Sequence, residues 1–189
     1  MGMYGTFRVD PEDYDPPDQV YFFTLRDWDA RLHEREAGGD ADYDPVDRSP
    51  DTYTINGRSA PTTFHPELGT PLLVSAGDTV HPHISNNGYE SHPFHTHGHR
   101  FTVTEKDGSP ISEAAQHQGG VINIGPAERY SLEFEADADP DIYPAHCHKA
   151  HHVTNRGRYP GGMATAIVYE EAMETDEFEE IMDDAGYER

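Results

Sequence analysis

The sequence predicts an all-β fold, an antiparallel sandwich or barrel, from three observations. Short runs rich in β-branched and aromatic residues recur from residue 52 onward. Turn-forming Gly, Asp and Asn residues separate them at the spacing of a multistranded sandwich. The length of 189 residues suffices for one hydrophobic core and is short for two, so the strands belong to a single packed unit.

The elements follow in order. Acidic, Pro-containing stretches at 13–18 and 38–51 flank one strand-like run at 19–26, which ends at Trp28. Strands are then expected at 52–56 before Gly57, at 71–75 before Ala76-Gly77-Asp78, and at 79–85 before Asn86-Asn87-Gly88. Further runs lie at 100–105 before Asp107-Gly108, at 120–124 before Gly125-Pro126, and at 129–136, 142–147 and 163–169. The last twenty residues change character: ten are acidic, and Met173, Phe178, Ile181 and Met182 fall near helical spacing. They predict a short acidic C-terminal helix, a solvated cap held by a few apolar residues.

Composition excludes several classes of function. With 13 Lys+Arg against 36 Asp+Glu, the formal charge of −23 repels nucleic acid rather than collecting it. A mean hydropathy of −0.82 leaves no apolar run of bilayer-spanning length. Met1 to Asp10 hold no basic stretch followed by an apolar one, so no signal peptide is read and the compartment stays open. Only Lys106 and Lys149 are lysines, against eleven arginines, which suggests a salt-adapted surface. Self-repulsion at this charge should weaken the fold in dilute buffer, and molar salt should screen it. The thermal unfolding midpoint is therefore expected to rise by several degrees between about 0.1 M and about 2 M salt, a change that scanning calorimetry reads directly.

The chemistry is concentrated in two windows. Eight of 13 histidines sit in HPFHTHGH, as His92, His95, His97 and His99, and in HCHKAHH, as His146, His148, His151 and His152. The second window holds the single cysteine, Cys147, which excludes an internal disulfide, and Met163 follows in the turn Pro160-Gly161-Gly162-Met163. Imidazole, thiolate and thioether together form the ligand set that selects copper. Zinc is less well served, because structural zinc sites pair cysteines and this chain has one. On an extended strand residues i and i+2 share a face, so His95 and His97 point one way, and His146 and His148 share a face opposite to Cys147. One strand can thus offer a thiolate to one metal and two imidazoles to another behind it.

HPFHTHGHRF, HCHKAHH and the downstream Gly-Met resemble the C-terminal cupredoxin domain of the multicopper oxidases of laccase-like or two-domain type. TINGRSAP at 54–61 and AGDTVHPHISNNG at 76–88 resemble the strands that open such domains, and MGMYGTF at 1–7 resembles the closing strand of a preceding one. The resemblance implies a Greek-key cupredoxin β-sandwich over 19–170, an interdomain-like segment over 1–18 and an acidic helix or tail over 171–189. It implies type 1 copper on His92, Cys147 and His152 with Met163 axial, type 2 copper on His95, and type 3 copper on His97, His146 and His148. Cys147, His146 and His148 would then relay electrons from a reducing substrate, a small molecule or a metal ion, to a cluster where dioxygen becomes water. Relatives of this kind are usually exported.

Two departures qualify the resemblance. Met163 lies sixteen residues after Cys147, behind the long loop VTNRGRYPGG, and position 157, where laccase-like relatives place the axial ligand, is Gly. The cluster also needs two further His-x-His pairs, which a second cupredoxin domain or another copy of the chain would have to bring. His81-Pro82-His83 is expected at the surface or behind the ligands, His99 is expected to order the ligand loop, and Arg156 and Arg158 sit in the long loop beside the type 1 residues. A single-domain blue copper carrier and a nitrite-reductase-like type 1/type 2 protein remain the alternatives.

Overall fold

Alternating burial along the predicted strands shapes two sheets packed face to face. A computed structural model of the chain describes residues 3–184. Its elements are β1 (Gln19–Trp28), α1 (Ala30–Glu36), β2 (Thr52–Ile55), β3 (Leu72–Val74), β4 (Thr79–Asn86), β5 (His92–Thr96), β6 (Phe101–Lys106), β7 (Ser109–Pro110), β8 (His117–Gly119), β9 (Val121–Ile124), β10 (Arg129–Glu135), β11 (Ile142–Cys147), β12 (Ala164–Tyr169) and α2 (Asp176–Asp184). The first sheet runs β2-β1-β4-β10-β6-β7 with β8 beside β6, and the second runs β3-β12-β11-β5-β9. The pairs β1·β4 and β12·β3 are parallel while the others are antiparallel, as a Greek-key sandwich with crossovers requires.

Phe23, Leu25, Val80, Ile84, Phe101, Val103, Leu132 and Phe134 of the first sheet meet Phe94, Ile124, Ala145, Ile167 and Tyr169 of the second. This is the all-β cupredoxin sandwich. The Asp107-Gly108 turn between β6 and β7 has positive φ at both residues (53° and 77°), the geometry that tight hairpins demand and that Asp-Gly tolerates. The acidic helix α2 lays Phe178 and Met182 over Ala166 and Val168 on the outer side of the second sheet, whereas Ile181 stays partly exposed.

Helix α1 has no counterpart in the sequence pattern. It buries no residue, so it leaves no apolar periodicity, and it starts because Asp29 accepts from the Arg31 N–H as its cap. Residues 3–7 carry no strand, so the strand that their resemblance implies is not formed; Met1, Gly2 and residues 185–189 lie outside the described residues. No helix among the described residues is long and apolar enough to cross a membrane.

Candidate metal centre

Strands β5 and β11 are antiparallel neighbours in register Cys147↔Phe94, His146↔His95 and Ala145↔Thr96. The pleat sends His92 and Cys147 into the core and His95 and His146 to the other side. The ladder runs past both strand ends, with the N–H of His148 donating to Pro93 O at 2.6 Å and that of His97 to Pro144 O at 2.9 Å. Two groups of side chains thereby form back to back around one strand pair.

The inner group is His92, Cys147 and His152, all buried, with ligand atoms within 4.8 Å of one another. Cys147 Sγ lies 3.3 Å from His152 Nδ1 and 4.0 Å from His92 Nδ1, and the two Nδ1 atoms are 3.0 Å apart. The far side of each ring faces a carboxylate. His152 Nε2 donates to Glu90 Oε2 at 3.0 Å. His92 Nε2 sits 3.3 Å from Asp27 Oδ1, too poorly aligned for a hydrogen bond but facing an acceptor that has no proton to give. Both rings therefore carry their proton on Nε2, and both Nδ1 lone pairs converge on the thiol. Only the single S–H proton is available for two facing lone pairs. This is a socket shaped for a cation, and a soft thiolate with two imidazoles suits copper.

Burial holds the group in its uncharged form. Burial pushes the Cys147 thiol up to about 11. Burial, with His92 adding, pushes His152 down to about 4 against the opposing pull of Glu90. Tyr53 stacks on the His152 ring at 4.2 Å between centroids, and His151 meets the same ring edge to face at 4.4 Å. His152 consequently has no exposed surface, while its neighbours His151, Glu90 and Lys149 reach solvent.

Met163 is fully buried, and its backbone closes the ligand loop: its N–H donates to His152 O at 2.8 Å and its carbonyl accepts from Cys147 N at 2.9 Å. The preceding Gly162 has φ of 65°, and a Cβ there would stand 1.9 Å from His152 O. The Gly-Gly-Met turn is thus what allows the long loop to return to the ligands.

The outer group gathers His95, His97, His146 and His148. Ring centroids lie 4.7 Å apart for His95–His97, 5.2 Å for His95–His148, 5.3 Å for His97–His146 and 5.5 Å for His146–His148. Nε2 of His97 is 3.1 Å from Nε2 of His146. His95 Nδ1 donates to Gly120 O and His146 Nδ1 to Cys147 O, which frees their Nε2 atoms as ligands. Burial and the surrounding imidazoles lower the pKa of both His97 and His146, with the Cys147 carbonyl opposing at His146. His97 and His148 are exposed, so this group opens to the surface like half of a shell.

The remaining histidines stand apart. His99 is buried, its Nδ1 on His97 O and its Nε2 on the Tyr169 hydroxyl, and its carbonyl accepts from Thr96, so it braces the ligand loop. His81 pairs with Glu133, His83 with Ser131 and Arg8, His33 packs on Trp28, and His65 accepts from Glu67 and Leu68. His117 is exposed on β8. Arg156 pairs with Asp51, and Arg158 is exposed. Asp27, Glu90 and Tyr53, which set and cover the inner imidazoles, were not anticipated from the sequence.

Known proteins complete the picture. The family profile described as multicopper oxidase matches residues 19–172. The chain is 32% identical to Laccase-2 of Thanatephorus cucumeris over 159 residues, which is 75% of the chain and 25% of the laccase. The structure is similar to the multicopper oxidase mgLAC, with TM-score 0.71 and 30% identity over 83% of this chain and 45% of that one. It is also similar to the blue copper oxidase of Nitrosomonas europaea, with TM-score 0.68 and 33% identity over 80% of this chain and 44% of that one. The chain thus spans a quarter of that laccase and under half of either solved protein. With a profile matching most of its length, and with a buried His–Cys–His socket backed by four imidazoles, the chain belongs to the multicopper oxidase family.

Proposed function

We propose that residues 19–170 are the substrate-oxidising cupredoxin domain of a laccase-like oxidase of the two-domain type, with 1–18 as an interdomain segment and 171–189 as an acidic tail. His92, Cys147, His152 and Met163 would hold type 1 copper, His95 type 2 copper, and His97, His146 and His148 type 3 copper. Bound copper supplies reversible one-electron chemistry, by which a reducing small molecule or metal ion gives up electrons and dioxygen becomes water.

The observation that carries this reading is the alternation at His146-Cys147-His148. The buried thiol and the outer imidazoles are separated by a single residue step of backbone, the shortest covalent route between the two groups. Cys147 holds the inner end of that route, and Glu90 and Asp27 hold the rings that share the socket with it. A simple electron carrier has no use for four further imidazoles on the far side, each with at least two of the others at 4.7–5.6 Å between ring centroids.

The outer group supplies half of a cluster, and its open face is where a second cupredoxin domain or another copy of the chain would bring the rest. Copper content, optical and EPR spectra, sedimentation and oxygen uptake with a phenolic donor, all in molar salt, test the reading. We expect a thiolate-to-copper absorption in every preparation and oxygen uptake only in assembled fractions or with a partner domain. Copper without that absorption, or a chain that stays monomeric with copper and yet consumes oxygen, overturns it.

Copper uptake should also release a proton. The Cys147 thiol, pushed up to about 11 by burial, is protonated at neutral pH and must ionise to bind. Apparent affinity is expected to rise close to tenfold per pH unit between pH 6 and 8, with about one proton released per thiolate-bound copper. Calorimetry in buffers of different ionisation enthalpy measures both.

A further inference from the structure

Away from the metal residues, the outer face of the first sheet carries a row of side chains that the strand registers place side by side. Phe22 on β1 pairs with His83 on β4, His83 pairs with Ser131 on β10, and Ser131 pairs with Glu105 on β6. Cross-strand partners share a face, so the four form one line across the sheet. Phe22 stacks on the His83 ring at 5.2 Å between centroids and 18° between planes. His83 Nδ1 lies 2.7 Å from Ser131 Oγ, and that hydroxyl donates to Glu105 Oε2 at 2.5 Å.

The N-terminal residues lie across this line. Arg8 Nη1 is 2.9 Å from His83 Nε2, while Arg8 also pairs with Asp10 and sits 4.5 Å over the ring of Tyr14. The hydrogen-bond directions are fixed by one rule, that a guanidinium can only donate. His83 Nε2 therefore accepts, its proton sits on Nδ1 and goes to Ser131, and the serine proton goes to Glu105. A protonated His83 would turn an N–H toward the Arg8 guanidinium. That would replace the hydrogen bond with a repulsion between two cations.

We propose that residues 3–17 form a strap that Arg8 fastens to the outer face of the first sheet through neutral His83, and that acid releases it by protonating that ring. The charged and titratable groups facing His83 are Arg8, Asp10 and Tyr14 from the strap, His81 from its own strand, and Glu105 from β6. Arg129 and Tyr130 of β10 line the same groove. Burial first, then Arg8, lowers the His83 pKa below its ordinary value, with Glu105 and Asp10 opposing and His81 adding. In the released state the ring regains water and binds a proton more readily. The fastened state is therefore fully favoured above the ordinary histidine value of about 6.5 and loses up to tenfold in population ratio per pH unit below it, until the fastened pKa is passed.

The test is NMR of the ¹⁵N-labelled, metal-free chain in molar salt. At pH 8 the His83 ring should show the Nδ1–H tautomer, and residues 4–14 should relax like the folded body. As the pH falls toward 5, the ring should titrate below the ordinary value, and the backbone of residues 4–14 should become mobile with the same midpoint. His83→Gln, whose amide can accept from Arg8 and donate to Ser131 without titrating, should keep the strap ordered at both pH values. Arg8→Met should free the strap at pH 8 and let the His83 pKa rise. His81→Gln should leave the acid release in place. A strap equally ordered at pH 8 and 5, an acid release that survives His83→Gln, or a strap that stays ordered in Arg8→Met overturns the proposal.

Discussion

Replacing Cys147 by serine is expected to abolish the thiolate-to-copper absorption completely and to lower copper content by one per chain. The fold should survive. Cys147 is buried beside His152 Nδ1 at 3.3 Å, where a serine hydroxyl can donate as the thiol does, so the metal-free chain should lose no more than about 1–2 kcal/mol of stability. The outer imidazoles keep their own supports, His95 on Gly120 O and His146 on the backbone carbonyl of residue 147, neither of which depends on the sulfur. Copper added to assembled Cys147→Ser protein should therefore still occupy the outer group, and electrons from an external donor should no longer reach it. Copper analysis with optical titration decides this. Retention of the intense absorption would mean that the thiolate copper is not held by Cys147.

Strands that bury one face were legible in the sequence, whereas the short β7 and β8, which bury no residue, were not. Alternation in 79–85, 129–136 and 142–147 reappears as β4, β10 and β11, and the spacing of the histidines around Cys147 already placed thiol and imidazoles on opposite faces. Helix α1 was not legible, since no residue of it is buried and only the Asp29 cap starts it. Nor were the groups that tune the socket. Asp27, Glu90 and Tyr53 come from β1, the β4–β5 turn and β2, and nothing in their local spacing relates them to His92 or His152. One trace was available in retrospect: Asp27 is a carboxylate inside a strand that otherwise buries Phe23 and Leu25, and it is almost fully enclosed (2% exposed), which an unpaired charge avoids.

That carboxylate carries the second large expected effect. Asp27 Oδ1 accepts from Tyr89 N at 2.8 Å and from Glu90 N at 3.1 Å, and it faces His92 Nε2 at 3.3 Å. It thus acts on both imidazoles, directly on His92 and, by fixing the backbone of Glu90, indirectly on His152. Burial pushes the Asp27 carboxyl up, but His92 and the N–H groups of Glu90 and Tyr89 outweigh it and hold the group below the ordinary carboxylate value. The sign follows: the stability it contributes is present above the unfolded value near 4 and is lost as the pH falls through the lower folded value. Asp27→Leu leaves the N–H groups of Tyr89 and Glu90 without their acceptor and removes the carboxylate that faces His92, and should cost the metal-free chain about 3–5 kcal/mol. Asp27→Asn keeps an acceptor oxygen for both backbone donors and should cost less than half as much. Both variants should bind copper about 10–100-fold more weakly, because each loses the charge that keeps the His92 proton on Nε2 and its Nδ1 free for the metal. Thermal unfolding of the metal-free proteins and competitive copper titration separate the two effects. If Asp27→Asn matched the parent chain in both measurements, the carboxylate charge would have no part in setting the socket, and packing around His92 alone would explain its orientation.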